Sequence, residues 1–165
     1  MSVAIILGSA RADGNTRDFV ERIVGGRSAS VLDLSSLQIE HYEYGPNSSI
    51  DDFERVTELL FSHQKILFAT PVYWYAMSGR MKVVFDRLTD LLVDPGPLKG
   101  REVYLAATGT KPELPEGFEV PFRDTAEYLG MVYRRTIYAC VREETGFPSD
   151  LESAIEEFAR DLFGD

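Results

Sequence analysis

Short runs of uninterrupted apolar residues alternate along this chain with segments whose apolar positions recur every three or four residues. The first run, VAIIL at residues 3–7, ends at Gly8 and has the composition of a strand buried on both faces. Similar runs at residues 29–34, 65–69, 103–107 and 132–141 predict four further strands. Arg134, Arg135 and Thr136 mark the last of these as a sheet edge.

The helical stripes lie between them. Phe19, Val20, Ile23 and Val24 form one, which Asn15 can cap and the Gly25-Gly26 pair stops. Phe53, Val56, Leu59 and Leu60 form another behind a Ser49/Asp52 capping box. Ser78 caps a third, with Met81, Val84, Phe85, Leu88 and Leu91 on one face. A fourth begins near Pro121, a residue tolerated at a first helical position, and runs to Gly130. The last opens on a Ser149/Glu152 capping box and buries Leu151, Ile155, Phe158 and Leu162. Residues 37–47 read as a surface excursion, Asp94, Pro95, Gly96, Pro97 and Gly100 as a turn-rich connection, and residues 108–117, with two prolines, as a loop. Strands alternating with helices predict one α/β domain over residues 1–165, a doubly wound, five-stranded parallel sheet with helices on both faces.

Composition narrows the function. A net charge of −10 without any basic block argues against nucleic acid and against an anionic membrane surface as partners. One cysteine, Cys140, excludes an internal disulfide and a cysteine-ligated cluster, and its place in the fifth strand reads as a buried thiol. Met1 runs straight into the first strand, leaving no room for a signal peptide, so a cytoplasmic location is expected.

Ligands in doubly wound sheets bind outside the carboxyl ends of the strands. Three segments there are unlike plain connectors. In GSARADGNTR, Ser9 and Thr16 offer hydroxyls, Asn15 an amide and Arg11 a positive fork, while Gly14 lets the backbone turn so that helix-opening amides face an anion. A monophosphate fits better than a triphosphate, because no GxxxxGK[ST] lysine is present, and GxGxxG is absent too. Alone, this segment serves equally as a capped strand-to-helix turn. In TPVYWYAMSGR, Pro71 sets the chain direction, Tyr73, Trp74 and Tyr75 can flank a flat ring, and backbone amides near Trp74 and Tyr75 can bond its polar edge. The competing reading puts the aromatics in a core or subunit contact, with Tyr75 and Met77 as candidates for a dimer surface. Lys82, Asp86 and Arg87 read as the polar side of the helix, solvated or in an intersubunit ion pair. In ATGT, Thr108 and Gly109 supply small residues at a closely approached rim. No Ser-His-Asp, Cys-His or paired-carboxylate constellation stands out, and His41 and His63 lie away from all three segments, so no catalytic side chain or metal site is assigned. That points to a bound cofactor as the source of the chemistry.

GSxRxxGNT at residues 8–16 and ATPVYWYAMSGRMKVVFDR at residues 69–87 resemble the phosphate loop and ring-binding loop of the NADPH-dependent FMN reductases and multimeric flavodoxin-type oxidoreductases. The resemblance implies a flavodoxin-like fold with strand order 2-1-3-4-5 and a single FMN-binding domain. It implies that Ser9, Arg11, Gly14, Asn15 and Thr16 hold the FMN phosphate, that Pro71, Val72, Tyr73, Trp74 and Tyr75 line the isoalloxazine, and that Thr108 and Gly109 close its other side. The implied activity is hydride transfer from NADH or NADPH through flavin to a small-molecule oxidant such as a quinone or nitro compound, by a homodimer or homotetramer. Arg11 and Arg80 are candidate partners for the nicotinamide cofactor's phosphate, though each is more simply assigned to FMN or the surface. His41, Tyr42, Tyr44 and Asn47 stand where iron–sulfur relatives carry clustered cysteines, so no cluster is expected. The competing functions are a flavodoxin-like electron carrier without nicotinamide turnover and a flavin-free α/β domain that binds another phosphate.

Overall fold

The computed structural model describes residues 3–11, 13–45, 51–92, 96–142 and 146–164. Five parallel strands, β1 (Val3–Leu7), β2 (Ala29–Asp33), β3 (Lys65–Pro71), β4 (Glu102–Gly109) and β5 (Val132–Cys140), form one sheet in the order β2-β1-β3-β4-β5. The helices are α1 (Asn15–Val24), α2 (Phe53–Ser62), α3 (Gly79–Arg87), α4 (Val120–Tyr128) and α5 (Leu151–Phe163). This is the doubly wound parallel sheet that the alternation of strands and helices predicts, in the strand order that the resemblance implies.

The apolar runs are strands because both their faces are covered. Ile6, Ile66, Phe68, Val103 and Leu105 pack with α2, α3 and α4 on one side, while Val3, Ile5, Leu67 and Tyr104 pack with α1 and α5 on the other. Every residue of β1 and β3 is buried. Strand ends extend beyond the apolar runs: β3 continues through Pro71 and β4 through Gly109, so Thr108 and Gly109 belong to the sheet and not to the loop. At the edge, Arg134 and Arg135 of β5 pair with Glu102 and Glu157, charges that discourage strand addition.

Several local expectations are corrected. Gly14, not Asn15, is the N-cap of α1, and no side chain caps that helix. Asp150 occupies the N-cap of α5 without a side-chain cap, and Glu152 instead bonds Arg22 of α1 at 2.5 Å. Ser49, Pro46, Asn47, Asp94 and Pro95 lie outside the described residues, so the first capping box and parts of two connections are not described. Asp52 is itself the N-cap of α2, and its carboxylate accepts from the Gln38 amide at 2.8 Å. Ser78 does cap α3, accepting from the Met81 amide. Cys140 is half-buried, since it ends an edge strand.

Arg87 departs furthest from its sequence pattern. It is buried, not solvated, and donates to Asp51 at 2.5 Å, to Asp90 at 2.7 Å and to the Glu40 carbonyl at 3.1 Å. Its guanidinium also lies 4.5 Å from the Phe53 ring centroid. The excursion after β2 is thereby clamped to the end of α3. Burial opposes the charge on Arg87, but Asp51 and Asp90 together hold its pKa above the usual arginine range. Lys82 and Asp86 are exposed, as the solvated reading has it, and pair with each other at 2.5 Å along α3.

Candidate functional site

The chain runs from β1 outward to β2 and then returns past β1 to β3, so strand order reverses between β1 and β3. The splayed strand ends at such a reversal leave a cleft. Here it holds two adjoining cavities of about 320 and 260 Å³ that share Val72, Gly109 and Thr110.

The larger cavity gathers Ser9, Arg11, Gly14, Asn15 and Thr16 from the first rim, Pro71, Val72 and Tyr73 from the second, and Thr108 and Gly109 from the third. The Arg17 amide already donates to the Gly14 carbonyl at 2.8 Å, while the Asn15 and Thr16 amides have no backbone partner among the described residues and, without a side-chain cap, open on this cavity with the positive end of the helix dipole. Gly14 keeps an extended backbone, φ −97° and ψ 171°, so its value is space: a Cβ there would stand 3.3 Å from Arg11 Cβ and 3.6 Å from Ser9 Oγ. Ser9 is buried and its hydroxyl accepts from the Arg11 amide at 3.2 Å. Arg11 and Asn15 are exposed and stand at the mouth. Thr16 is buried, with its hydroxyl 2.7 Å from that of Thr108.

The rims are tied to one another by hydrogen bonds. Gly8 donates its amide to Ala69 at 2.8 Å, and the Ser78 hydroxyl donates to the Gly8 carbonyl at 2.5 Å. The Ser78 amide reaches the Thr70 hydroxyl at 3.1 Å. The Val72 amide donates to the Thr108 carbonyl at 2.7 Å, so Thr108 meets the second rim through its carbonyl and the first through its hydroxyl. Such a cross-braced site is set before any ligand arrives.

Tyr73 to Ala76 is a two-residue hairpin, with each end residue's amide bonded to the other's carbonyl at 2.9 and 3.0 Å. Its two central residues, Trp74 and Tyr75, have φ of 49° and 66°, the positive pair of a type I′ turn. Neither is glycine or asparagine, so the turn holds side chains at a backbone cost of about 1–2 kcal/mol each. Trp74 is 94% exposed, Tyr75 65% and Tyr73 46%. The amides of Val72, Tyr73 and Ala76 are used within the protein, which leaves those of Trp74 and Tyr75 at the tip. Met77 is half-buried against the core, while Tyr75 stays open to solvent.

Trp74 and Tyr75 line the smaller cavity and not the larger one, together with Lys111, Pro115 and Tyr138. The cavities also take in Thr110, the end of the ATGT run, and Asp13, Val141, Lys111, Pro115 and Tyr138, which the sequence did not single out. Asp13 and Thr110 are neighbours of assigned residues and were within reach of the same argument, but Tyr138 and Val141 depend on strand register. The described lining contains no histidine, cysteine or glutamate. His63 is engaged elsewhere, with Nε2 2.9 Å from the Ser30 hydroxyl and Nδ1 3.0 Å from the Leu59 carbonyl. His41 is exposed beside Arg80 in a separate groove, where Arg80 reaches the Leu34 carbonyl at 3.3 Å. Among the described residues no helix is long and apolar enough to cross a membrane.

The cleft therefore offers a helix start suited to an anion at one end and aromatic walls at the other. The family model described as NADPH-dependent FMN reductase matches residues 1–146. The chain belongs to that family. It is thus an enzyme, an NAD(P)H-dependent oxidoreductase whose cofactor is FMN. YwqN of Bacillus subtilis strain 168, provisionally named an NAD(P)H-dependent FMN-containing oxidoreductase, is 28% identical over 148 residues, 81% of this chain and 82% of its own length. The Trp repressor binding protein of Bacillus subtilis is 24% identical with a TM-score of 0.71, over 97% of this chain and 96% of that one. RosB, solved with 8-demethyl-8-formylriboflavin-5′-phosphate, is 15% identical with a TM-score of 0.77, over 100% of this chain and 77% of its own. At these identities the two structures establish the FMN reductase's fold.

Proposed function

We propose that the cleft holds FMN with its phosphate at the start of α1 and its ring between the Trp74 hairpin and the Thr108–Gly109 rim, and that a small flat oxidant, a quinone or nitro compound, takes the electrons. The observation that carries this reading is the uncapped start of α1 opening into the larger cavity, joined to the aromatic cavity through Val72, Gly109 and Thr110. The residues fit the group: amides and the Arg11 fork suit a phosphate, Ser9 and the Thr16–Thr108 hydroxyls suit a polyol chain, and Trp74 and Tyr75 suit a conjugated plane.

When bound, FMN supplies the hydride-accepting and electron-passing chemistry. The chain's own part is to bind and orient. The braced rims fix Thr108 and Val72, and the hairpin presents its tip amides and rings. A single domain, a cytoplasmic location and assembly as a homodimer or homotetramer complete the proposal. The exposed Trp74 and Tyr75 support a subunit contact near the cleft.

A visible spectrum of the purified protein, taken anaerobically before and after NADPH or NADH, tests this. A flavin spectrum that bleaches supports the reductase. A yellow protein that bleaches only through a partner reductase would make it an electron carrier, and a colourless protein that fails to bind added FMN would overturn the reading.

A further inference from the structure

Tyr138 sits on β5 opposite Ala107, yet its hydroxyl donates to the carbonyl of Lys111, four residues further along, at 2.7 Å. The side chain leans along the strand to make that reach. Gly109 lies beneath it: a Cβ there would stand 2.7 Å from Tyr138 Oη and 3.3 and 3.4 Å from Cε2 and Cζ. Glycine at 109 leaves room for the tyrosine tip in this position. Beyond β4 the chain at residues 110–115 has neither helix nor strand and carries Pro112 and Pro115. Leu114 packs on the core, so the bond at Lys111 holds the stretch between the strand end and that anchor. Thr110, Lys111 and Pro115 from this stretch, with Tyr138 itself, line the smaller cavity along with Trp74 and Tyr75.

We propose that Tyr138 is a positioning residue, whose hydroxyl tethers the loop after β4 and so sets how much of the smaller cavity, beside the flavin ring proposed to occupy it, is open to flat aromatic oxidants. The proposal rests on the reading that FMN occupies this cleft. The tether is a donor at neutral pH, because burial, and next the nearby Cys140, raise the Tyr138 pKa. Its partner is the carbonyl of an exposed residue, so water can replace the hydroxyl and the fold survives its loss.

Tyr138→Phe keeps the ring and removes only the bond. Steady-state kinetics of the FMN-loaded enzyme with saturating NADPH and two quinones, benzoquinone and menadione, read the effect. The variant should raise the benzoquinone KM about three- to tenfold, the range of one neutral hydrogen bond, and narrow the difference in KM between the two quinones. Its kcat and FMN affinity should stay within about twofold of wild type. Amide hydrogen exchange at residues 110–114 should quicken while that of α4 does not. Unchanged KM values would overturn the role in acceptor choice, as would a loss of FMN affinity matching the KM change, which would place Tyr138 in the cofactor site. Unchanged exchange would overturn the tether itself. A wild-type protein that binds no FMN would defeat the parent reading and the acceptor role together, while the exchange result would still decide the tether.

Discussion

The hydroxyls of Thr16 and Thr108, ninety-two positions apart in the chain, lie 2.7 Å from each other with both side chains buried. The pair joins the start of α1 to the end of β4, the two rims that flank the larger cavity. One hydroxyl donates to the other, which keeps its own proton for a ligand. Thr16 therefore serves the frame as well as the site, and its replacement disturbs both.

Thr16→Val should cost about 1–2 kcal/mol of stability, because the Thr108 hydroxyl is left buried without its partner. The double variant with Thr108→Val should be destabilised by less than the sum of the singles. Urea unfolding of the four proteins in the cycle gives the coupling, and FMN titration of the same set should show weaker binding whenever Thr16 is changed. Arg11→Ala, at an exposed position, should weaken FMN without moving the unfolding midpoint.

Asp13 is a carboxylate on the lining of the cavity proposed to receive the FMN phosphate. Asp13→Asn should tighten FMN a few-fold, about 0.3–1 kcal/mol. The gain should shrink as salt is raised, because Asp13 is exposed and its field is screened. Titration at low and high ionic strength reads both.

Trp74→Asn with Tyr75→Gly installs the residues a type I′ turn favours. Relief of two positive-φ side chains, less the added freedom of glycine in the unfolded chain, should raise the stability of the FMN-free protein by about 1–3 kcal/mol, while flavin affinity falls with the lost rings. A melting curve and an FMN titration would show the opposed changes.

The Arg87–Asp51 pair has side chains only 6% and 7% exposed. Arg87→Met should destabilise by about 3–5 kcal/mol, since Asp51 is left buried without its cation. Burial alone would raise the Asp51 pKa, but the hydrogen bond from Arg87 and those from the Glu40 and Phe53 amides bring it below the ordinary 3.8. A lowered folded-state pKa means the stabilisation is complete above the ordinary value and is lost as pH falls through it toward the depressed one. Wild type should therefore lose stability below about pH 4 as this carboxylate and the similarly lowered Asp33 protonate. Arg87→Met should flatten that acid limb, which unfolding measured across pH 3–6 would reveal.

The sheet was legible because burial on both faces forces uninterrupted apolar runs such as VAIIL. The cleft was legible because the rule for strand ends brings Gly8, Pro71 and Thr108 to one rim whatever the details of each loop. Caps were less so: Gly14 and Asn15, or Ser149 and Asp150, differ by one position, and a local pattern leaves that choice to tertiary packing. Tyr138 was invisible because its role follows from its register with Ala107 and its lean toward Lys111. Arg87 looked solvated because its partner Asp51 lies thirty-six positions earlier, beyond any helical spacing.

On the proposed placement of FMN, the bare first turn of α1 ties nutrition to folding. If the phosphate of FMN completes that turn as a side chain would elsewhere, the vitamin derivative becomes a missing piece of secondary structure, and each tenfold rise in its free level above Kd adds about 1.4 kcal/mol to the native state. A cell short of riboflavin would then hold less intact enzyme, through mass action alone on this link.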